Sequence, residues 1–440
     1  MHYILIIYNN NDICNRMNVY IETHGCKLNI ADSQKISKDF LSSGFNISED
    51  VNKSEIFVLN TCTVTKSADK KARNRLRSIK KNNPNIHIIA TGCYPQRNKE
   101  EILSLGIVDT IIPNDEKKNF IKIVSEKFPI ENKKINNYDI NNILLGRTRA
   151  SIAIQKGCNQ ICSYCIVPKV RGSENSIESK EIINQINYLE SKGCKEVVLT
   201  GTQLGTYGFD LKNYNLFKLL KEVLENTKIL RLRLSSVQPH EFNEDLLSLW
   251  NDKDFKKRLC PHFHIPLQSG SDKILKLMRR KYTISQFTDI TKKIKSTIEN
   301  SSITTDLIVG FPSESEIDHI NTKKLLKNSL ITEVHVFPYS IRPGTTAFYL
   351  DNKVQSSIIT KRAKEIRDIS NKLKMKHLLS LVNSEQNVLW ENSKSNSGYT
   401  ENYSYFSLSS DEIILPNSFI NKVKIKSVES ENLIGVIAKY

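Results

Sequence analysis

Along positions 17–143 the apolar residues fall into short blocks separated by stretches with a helical period. NVYIETHGC alternates and ends in Gly-Cys, and IADSQKISKDFLSSG then repeats at three and four residues until Gly44. IFVLNTC is a continuous apolar run, as expected of a strand covered on both faces. KSADKKARNRLRSIKKN follows it as a helix closed off by Pro84, and IHIIATGC is a third strand, with a further helix predicted near RNKEEILSLG. Strands regularly separated by helices predict a parallel, doubly wound α/β sheet. A polar stretch, ENKKINNYDINN, leads into six strand-like runs between 151 and 339: SIAIQ, EVVLTG, RLRLSS, HFHIPL, SITTDLIVGF and EVHVFPY. Amphipathic segments such as IESKEIINQINYLESKG and FKLLKEVLEN lie between them. A repeated βα unit predicts a full or partial barrel whose working loops follow the strand C-termini. From about 378 the period shortens to two, in LVNSEQNVLWE, GYTENYSYFSLS and ENLIGVIAKY. A small all-β domain is expected there.

The chain therefore divides into 17–143, 144–375 and 376–440. The preceding MHYILIIYNNNDICNR (1–16) reads as an upstream extension outside the fold, because Met17 directly precedes the first strand. Its apolar stretch has no basic residue before it and no small-residue cleavage site after it, which argues against a secretory signal. No run approaches the length of a membrane span. The expectation is a cytoplasmic protein with no membrane partner.

The 64 Lys and Arg against 47 Asp and Glu leave a net charge of +17. Residues 17–143 hold 20 basic and 15 acidic side chains, 144–375 hold 37 and 24, and 376–440 hold 6 and 7. The excess thus lies on the first two domains, which points to a polyanion, nucleic acid first. The helix from Lys66 to Lys81 carries eight basic residues against Asp69 alone. Such a run is usually a solvated helix face. Tyr399, Tyr403, Tyr405 and Phe406 in the tail are candidates for stacking on bases.

The nine cysteines are not spread evenly. Cys26, Cys62 and Cys93 each end a different predicted strand. Strand C-termini of a parallel sheet open on one edge, where ligands bind. One such cysteine would be read as a core residue, but three at equivalent places point to a shared site. Cys158, Cys162 and Cys165 crowd into GCNQICSYC after the first barrel strand, spaced Cys-x3-Cys-x2-Cys. A structural zinc wants four closed ligands, and no histidine lies nearby. A [4Fe-4S] cluster held by three thiolates leaves one iron open. Cys194 and Cys260 stand alone and read as core.

Cys-x3-Cys-x-aromatic-Cys on the first loop of a βα barrel resembles the radical S-adenosylmethionine enzymes. The resemblance implies that the open iron chelates S-adenosylmethionine, whose reductive cleavage gives a 5′-deoxyadenosyl radical. It places Tyr164 near the cofactor adenine and Gly201 near its methionine moiety. Ser235 and Gln268 are further cofactor-binding candidates at later strand ends. The whole order is similar to the methylthiotransferases: an N-terminal domain with three separated cysteines, a six-stranded partial radical barrel, and a small β-domain of the TRAM type. That resemblance implies a second [4Fe-4S] cluster on Cys26, Cys62 and Cys93, and an electron donor of the flavodoxin or ferredoxin type. Sulfur methylated at that second cluster would be delivered to a carbon activated by the radical.

THGCKLN, NTCTVT, TGCYPQ, LTGTQLGTYG, PLQSGSD, VFPYSIRPGT and GYTENY resemble the branch acting on threonylcarbamoyladenosine at position 37 of tRNA. Two other branches act on isopentenyladenosine-37 and on a ribosomal-protein aspartate. The isopentenyl branch usually reads Cys-Gln-Met-Asn where this chain has Cys26-Lys27-Leu28-Asn29. Lys27 is a candidate partner for a substrate carboxylate, weighed against an ordinary solvated lysine. A metal-bearing, non-enzymatic RNA-binding protein is the remaining alternative.

Overall fold

The computed structural model describes residues 16–129, 138–392, 396–409 and 420–438, so all but Arg16 of the expected extension lies outside the described residues. In the first domain β1 (Asn18–Thr23), β2 (Asn46–Ile47), β3 (Ile56–Thr61), β4 (His87–Gly92) and β5 (Thr110–Pro113) form one parallel sheet, ordered β2-β1-β3-β4-β5. Every residue of β3 is buried, because helices cover both faces. Ile36 and Phe40 of α1 (Lys27–Ser42) pack with Val19, Val58 and Ile89 on one side. Ala72, Leu76 and Ile79 of α2 (Lys66–Asn82) pack with Phe57, Leu59 and Ile88 on the other. The two helices leave neighbouring strands toward opposite faces, so a crevice opens between the ends of β1 and β3.

All six barrel runs become strands. They are β6 (Arg149–Ala153), β9 (Glu196–Thr200), β10 (Arg231–Leu234), β11 (His262–His264), β12 (Ser302–Val309) and β13 (Glu333–Pro338), while the short β7 (Gln155–Lys156) and β8 (Asn175–Ser176) pair antiparallel and bracket the three-cysteine loop. Two parallel halves, β10-β9-β6 and β11-β12-β13, meet through the bridges Leu232–Leu259 and Ser236–His264. The result is an open, six-stranded partial barrel. The tail folds as a closed barrel of β14 (Glu385–Asn392), β15 (Ser397–Thr400), β16 (Tyr405–Leu408), β17 (Ile420–Glu429) and β18 (Asn432–Ile437).

The structure differs from the sequence reading in several elements. Strands β2, β5 and β17 were not anticipated; β2 has two residues, and the alternation in β17 is masked by its lysines. The helix near RNKEEILSLG is two short helices, α3 (Cys93–Arg97) and α4 (Lys99–Leu103), because the Asn98 side chain caps the second by accepting from Glu101 N at 3.1 Å. A helix, Ser356–Ser380, also runs unbroken across position 375. Its Ala363, Ile366 and Ile369 belong to the barrel core and its Leu378 to the tail core, which couples the two. Among the described residues no helix is long and apolar enough to cross a membrane.

The tail domain seals the N-terminal mouth of the partial barrel. Arg231 and Arg233 on β10 reach down to it: Arg231 donates to Tyr399 O and Asn387 O, and Arg233 to Glu401 O. Both also grip Glu196 at the start of β9, at 3.4 and 2.7 Å, with all three side chains buried. Arg149 at the start of β6 pairs with Glu391 of β14 at 2.8 Å. Burial alone would raise the Glu196 carboxyl, but Arg233, Arg149 and Arg231 outweigh it and bring it down to about 2 from its ordinary 4.5. A carboxyl depressed in the folded state stabilises fully above its unfolded pKa, and that stabilisation is lost as pH falls from about 4.5 toward 2. Glu196→Gln should therefore lower stability by about 3–5 kcal/mol at neutral pH, because it strands two buried guanidinium groups. Denaturation midpoints followed from pH 7 downward should show the wild type losing stability through this window and the variant losing less.

Candidate functional site

The three N-terminal cysteines converge. Cys26 immediately precedes α1, Cys62 immediately follows β3, and Cys93 opens α3 at the end of β4. Two glycines permit the approach. A Cβ on Gly25, at φ +131°, would meet Cys62 Cβ at 2.8 Å. One on Gly92, at φ +100°, would meet Thr61 O and Asn60 Oδ1 at 2.5 Å. Cys62 and Cys93 are buried and Cys26 is exposed, so the triad has an apolar floor and an open side. Burial pushes the Cys62 thiol up to about 12. Such a thiol stays protonated at neutral pH until a metal displaces its proton.

Behind the triad lies a polar cradle that sequence reasoning missed. Arg171 donates to Cys93 Sγ at 3.3 Å, to Asp32 Oδ2 at 2.6 Å and to Asn29 Oδ1 at 2.7 Å. Asn29 Oδ1 also accepts from Cys26 Sγ at 3.4 Å, and Asn114 Nδ2 reaches Cys93 Sγ at 3.6 Å. Lys117 donates to the same Asp32 oxygen at 2.7 Å. Burial would raise the Asp32 carboxyl, but Lys117 and Arg171 together hold it well below the usual carboxylate range. The partners are separated by up to 142 positions along the chain, so no local pattern betrays them.

The second triad is carried by the loop after β7. Gly157, at φ +69°, lets the chain pass so close to Ser173 O that a Cβ would stand 1.9 Å from it. Arg280 donates to Cys162 Sγ at 3.2 Å, to Tyr164 Oη at 3.5 Å and to Gln238 Oε1 at 2.6 Å. Gln238 in turn donates to Gln160 Oε1 at 3.0 Å. Tyr164 packs beside Ile274, Met278 and Phe311. Gly201 follows β9, where a Cβ would stand 3.0 Å from Gln155 O, and Gln155 Oε1 accepts from Thr202 N and Gln203 N. Ser235 follows β10 with its buried hydroxyl unpartnered among the described residues, as is that of Thr202. Gln268 sits past β11 at φ +66°. Cys194 and Cys260 are buried apart from both triads.

One short helix, Val167–Arg171, connects the two triads, beginning two residues after Cys165. Cys93, Ile166 and Val170 form a small buried cluster, and Arg171 at the far end carries the link to the first triad. A cavity of about 200 Å³ is lined by Val64 and Thr65 next to Cys62, by Tyr164, and by Gln268 and Asp306. Sulfurs bound to one zinc would stand about 4 Å apart or less. The sulfurs of neither triad are drawn within 4.8 Å of one another, and among the described residues only His264, Asp306 and His335 form so tight a group. Three thiolates in each set match the ligand count of a cluster with one open iron. The orphaned hydroxyls of Ser235 and Thr202, at the ends of β10 and β9, suit a polar cofactor.

Two expectations about charge and aromatics are corrected. Arg73 is not free on α2: it donates to Tyr94 Oη at 2.6 Å and to Glu101 at 2.7 Å, while Lys70, Lys71 and Arg77 are exposed. Phe406 is tail core, and Tyr399 stacks on Tyr403 at 4.9 Å facing the barrel rather than open solvent. Lys27 is half-buried, not solvated. Burial, reinforced by the nearby Arg233 and Arg149, brings its amine down to about 8.

Comparison with known proteins agrees with this geometry. Residues 18–113 match the uncharacterized protein family UPF0004, and residues 152–326 match the radical SAM superfamily. The chain is 37% identical over 395 residues to the threonylcarbamoyladenosine tRNA methylthiotransferase MtaB of Aquifex aeolicus, covering 86% of this chain and 95% of that one. It is 34% identical to the protein of the same name from Bacillus subtilis, covering 88% and 89%. It is also 35% identical to the tRNA-2-methylthio-N(6)-dimethylallyladenosine synthase of Dictyoglomus thermophilum, covering 87% and 90%. Among solved structures the radical S-adenosylmethionine methyltransferase TsrM from Kitasatospora setae, with cobalamin and a [4Fe-4S] cluster bound, superposes with TM-score 0.53 at 13% identity over 76% of this chain and 77% of that one. That likeness concerns the fold.

Because Gly157 admits no Cβ, Gly157→Ala should displace the cysteine loop. After anaerobic reconstitution it should hold about half the wild-type iron, the share of one cluster in two. Gly106→Ala, also at positive φ but with nothing within 4 Å, should keep full iron at a cost of about 1 kcal/mol in stability. Iron assay and electron paramagnetic resonance of both variants check this.

Proposed function

Because this chain belongs to the radical S-adenosylmethionine methylthiotransferases of the MtaB type, we propose that Cys158, Cys162 and Cys165 hold one of its [4Fe-4S] clusters and Cys26, Cys62 and Cys93 the other. The enzyme transfers a methylthio group to C2 of N6-threonylcarbamoyladenosine at position 37 of tRNA. Two [4Fe-4S] clusters and S-adenosylmethionine are its cofactors; when bound they supply the reducing electron, the radical and the methylated sulfur. The observation that supports this assignment of residues is the helix 167–171, which follows Cys165 and brings Arg171 to Cys93, together with a cavity lined by Val64, Thr65 and Tyr164, neighbours of Cys62 and Cys165.

The chain's own residues prepare that cavity. Arg171 and Lys117 at the first triad, and Arg280 at the second, set positive charge against thiolate ligands and satisfy their lone pairs. Tyr164, Gly201, Ser235 and Gln268 would meet S-adenosylmethionine, Gly201 by leaving its backbone open and Ser235 by its unpartnered hydroxyl. Asp69 fixes the floor of the RNA-facing side. It is buried on α2 and accepts from Arg342 at 2.6 Å and from Arg97 at 3.1 Å. Lys70, Lys71 and Arg77 on the outer face of α2 meet tRNA phosphates. An electron donor of the flavodoxin or ferredoxin type completes the cycle, in a cytoplasmic setting.

Cys158→Ala, Cys162→Ala or Cys165→Ala should abolish 5′-deoxyadenosine formation and lower iron by about half. The Cys26, Cys62, Cys93 triple alanine variant should still form 5′-deoxyadenosine but no methylthio product. Undiminished sulfur transfer by the triple variant would reduce those cysteines to core residues. Reversing Lys70, Lys71 and Arg77 to Glu should weaken tRNA binding and lower the slope of log affinity against log salt by about 3, with iron unchanged. Purified enzyme given tRNAs bearing threonylcarbamoyl- or isopentenyladenosine, or the ribosomal protein, should prefer the first; mass spectrometry of the products decides.

A further inference from the structure

Beneath the cysteine loops, the barrel lumen gathers cations from the first two domains around a single ring of the third. The Tyr403 ring of the tail has Arg233 of β10 at 4.8 Å, Arg149 of β6 at 4.9 Å and Lys27 of α1 at 5.8 Å from its centre. Two of the three have anionic partners, Arg233 with Glu196 and Arg149 with Glu391. The Lys27 ammonium has no hydrogen bond or ion pair among the described residues, although it is half-buried. Asp306 is the remaining carboxylate nearby, and it is already shared: His264 Nε2 lies 3.2 Å from one oxygen and His335 Nδ1 lies 3.3 Å from the other. Lys27 is thus a cation left over in a positively charged hole.

His264, Asp306 and His335 have the composition of a divalent-cation site, yet the charge around them is positive. A second positive ion at such range is opposed at any effective dielectric, whereas an anion is attracted. The carbon chemistry of the substrate supplies one. An N6-threonylcarbamoyl arm ends in a carboxylate, and an isopentenyl arm has no polar atom at all. Lys27 adjoins Cys26 in sequence, so the arm of a base held at the first cluster lies within reach of its side chain.

We propose that Lys27 is the carboxylate subsite of this enzyme, holding the acid of the threonylcarbamoyl arm in the lumen above Tyr403 and thereby selecting that arm over an apolar one. The proposal rests on the substrate named above. It explains why a lysine should stand unpaired between two arginines: the free site is built one anion short, and the correct substrate provides it. An apolar arm would leave the ammonium desolvated and unpaired, which is how a site built for a charged group rejects an analogue lacking it.

The test uses reconstituted holoenzyme and anticodon stem-loop RNAs carrying threonylcarbamoyladenosine, its carboxyl methyl ester, or isopentenyladenosine. Wild-type enzyme should prefer the free acid to the ester by about 10- to 100-fold in kcat/KM, the range for a charge-assisted hydrogen bond. Lys27→Met should lose about the same factor on the free acid and nothing further on the ester, with wild-type iron content, and Lys27→Arg should recover part of the loss. Equal rates for acid and ester with the wild type overturn the subsite, as does a Lys27→Met variant that still discriminates them. If Lys27→Met loses iron, the wild-type acid and ester comparison alone decides. A wild type that prefers isopentenyl RNA overturns the substrate assignment, and the subsite with it.

Discussion

Arg171 is where the barrel grips the first domain beside the cysteines. Its guanidinium contacts Cys93, Asp32 and Asn29 of the first domain, yet its backbone ends the short helix that follows Cys165. A pair of three-cysteine sets on separate domains can share a reaction only if their separation is fixed, and a five-residue helix is too short to flex along its length. The rest of the cradle follows from that guanidinium. Asp32 needs a second cation, supplied by Lys117, and Cys93 needs a neutral donor on its other flank, supplied by Asn114. Buried polar networks hold their shape best when every member is satisfied, and in this cradle Asn114 Oδ1 is left without a partner among the described residues. The first domain's sheet order, which opens a crevice between β1 and β3, is what leaves room for the helix to dock.

The opposite end of the barrel obeys a different constraint. Strand N-termini there carry Arg149, Glu196, Arg231 and Arg233, and the tail closes over them with backbone carbonyls and tyrosine rings. The near-neutral charge of the tail makes sense in that light. Its inward face is engaged with the barrel, so its tyrosines are part of the lumen wall and not a free platform for bases. The helix Ser356–Ser380, packed into both cores, keeps that closure rigid.

Much of this architecture was legible in the chain, and for identifiable reasons. Six barrel strands announce themselves by apolar runs, and three cysteines at strand ends are placed on one edge by the topology of parallel sheets. The loop triad is local and needs no fold at all. What could not be read is what acts across distance. Arg280 lies 118 positions from Cys162, and Arg171 lies 139 from Asp32. The basic run on α2 was visible, but its division was not: Asp69 and Arg73 turn inward to Arg342, Tyr94 and Glu101, and Lys70, Lys71 and Arg77 turn out. A periodicity of charge alone cannot separate these, because the inward partners come from other elements. Lys27 is the sharpest case. In sequence it is one more lysine at a helix start, and only the fold shows that it points among arginines.

The same inward ion pairs give the RNA-facing surface a fixed relation to the chemistry. Asp69 binds Arg342 at 2.6 Å with both side chains buried, and the amide of Lys66 donates to Ser340 Oγ at 3.0 Å. Helix α2 is thereby held against the segment that follows β13, and Tyr339 and Ser340 of that segment line the same cavity as Val64 and Thr65. Phosphate contacts carry no sequence information, but they fix register and orientation. Lysines set on a helix so anchored position a bound backbone relative to the cavity mouth without touching the base itself. On the proposed reading, affinity comes from the outer face of α2 and selection from the lumen. The two are joined through a handful of buried pairs and not through a flexible arm, which is what delivery of one particular carbon to a pair of fixed cysteine triads requires.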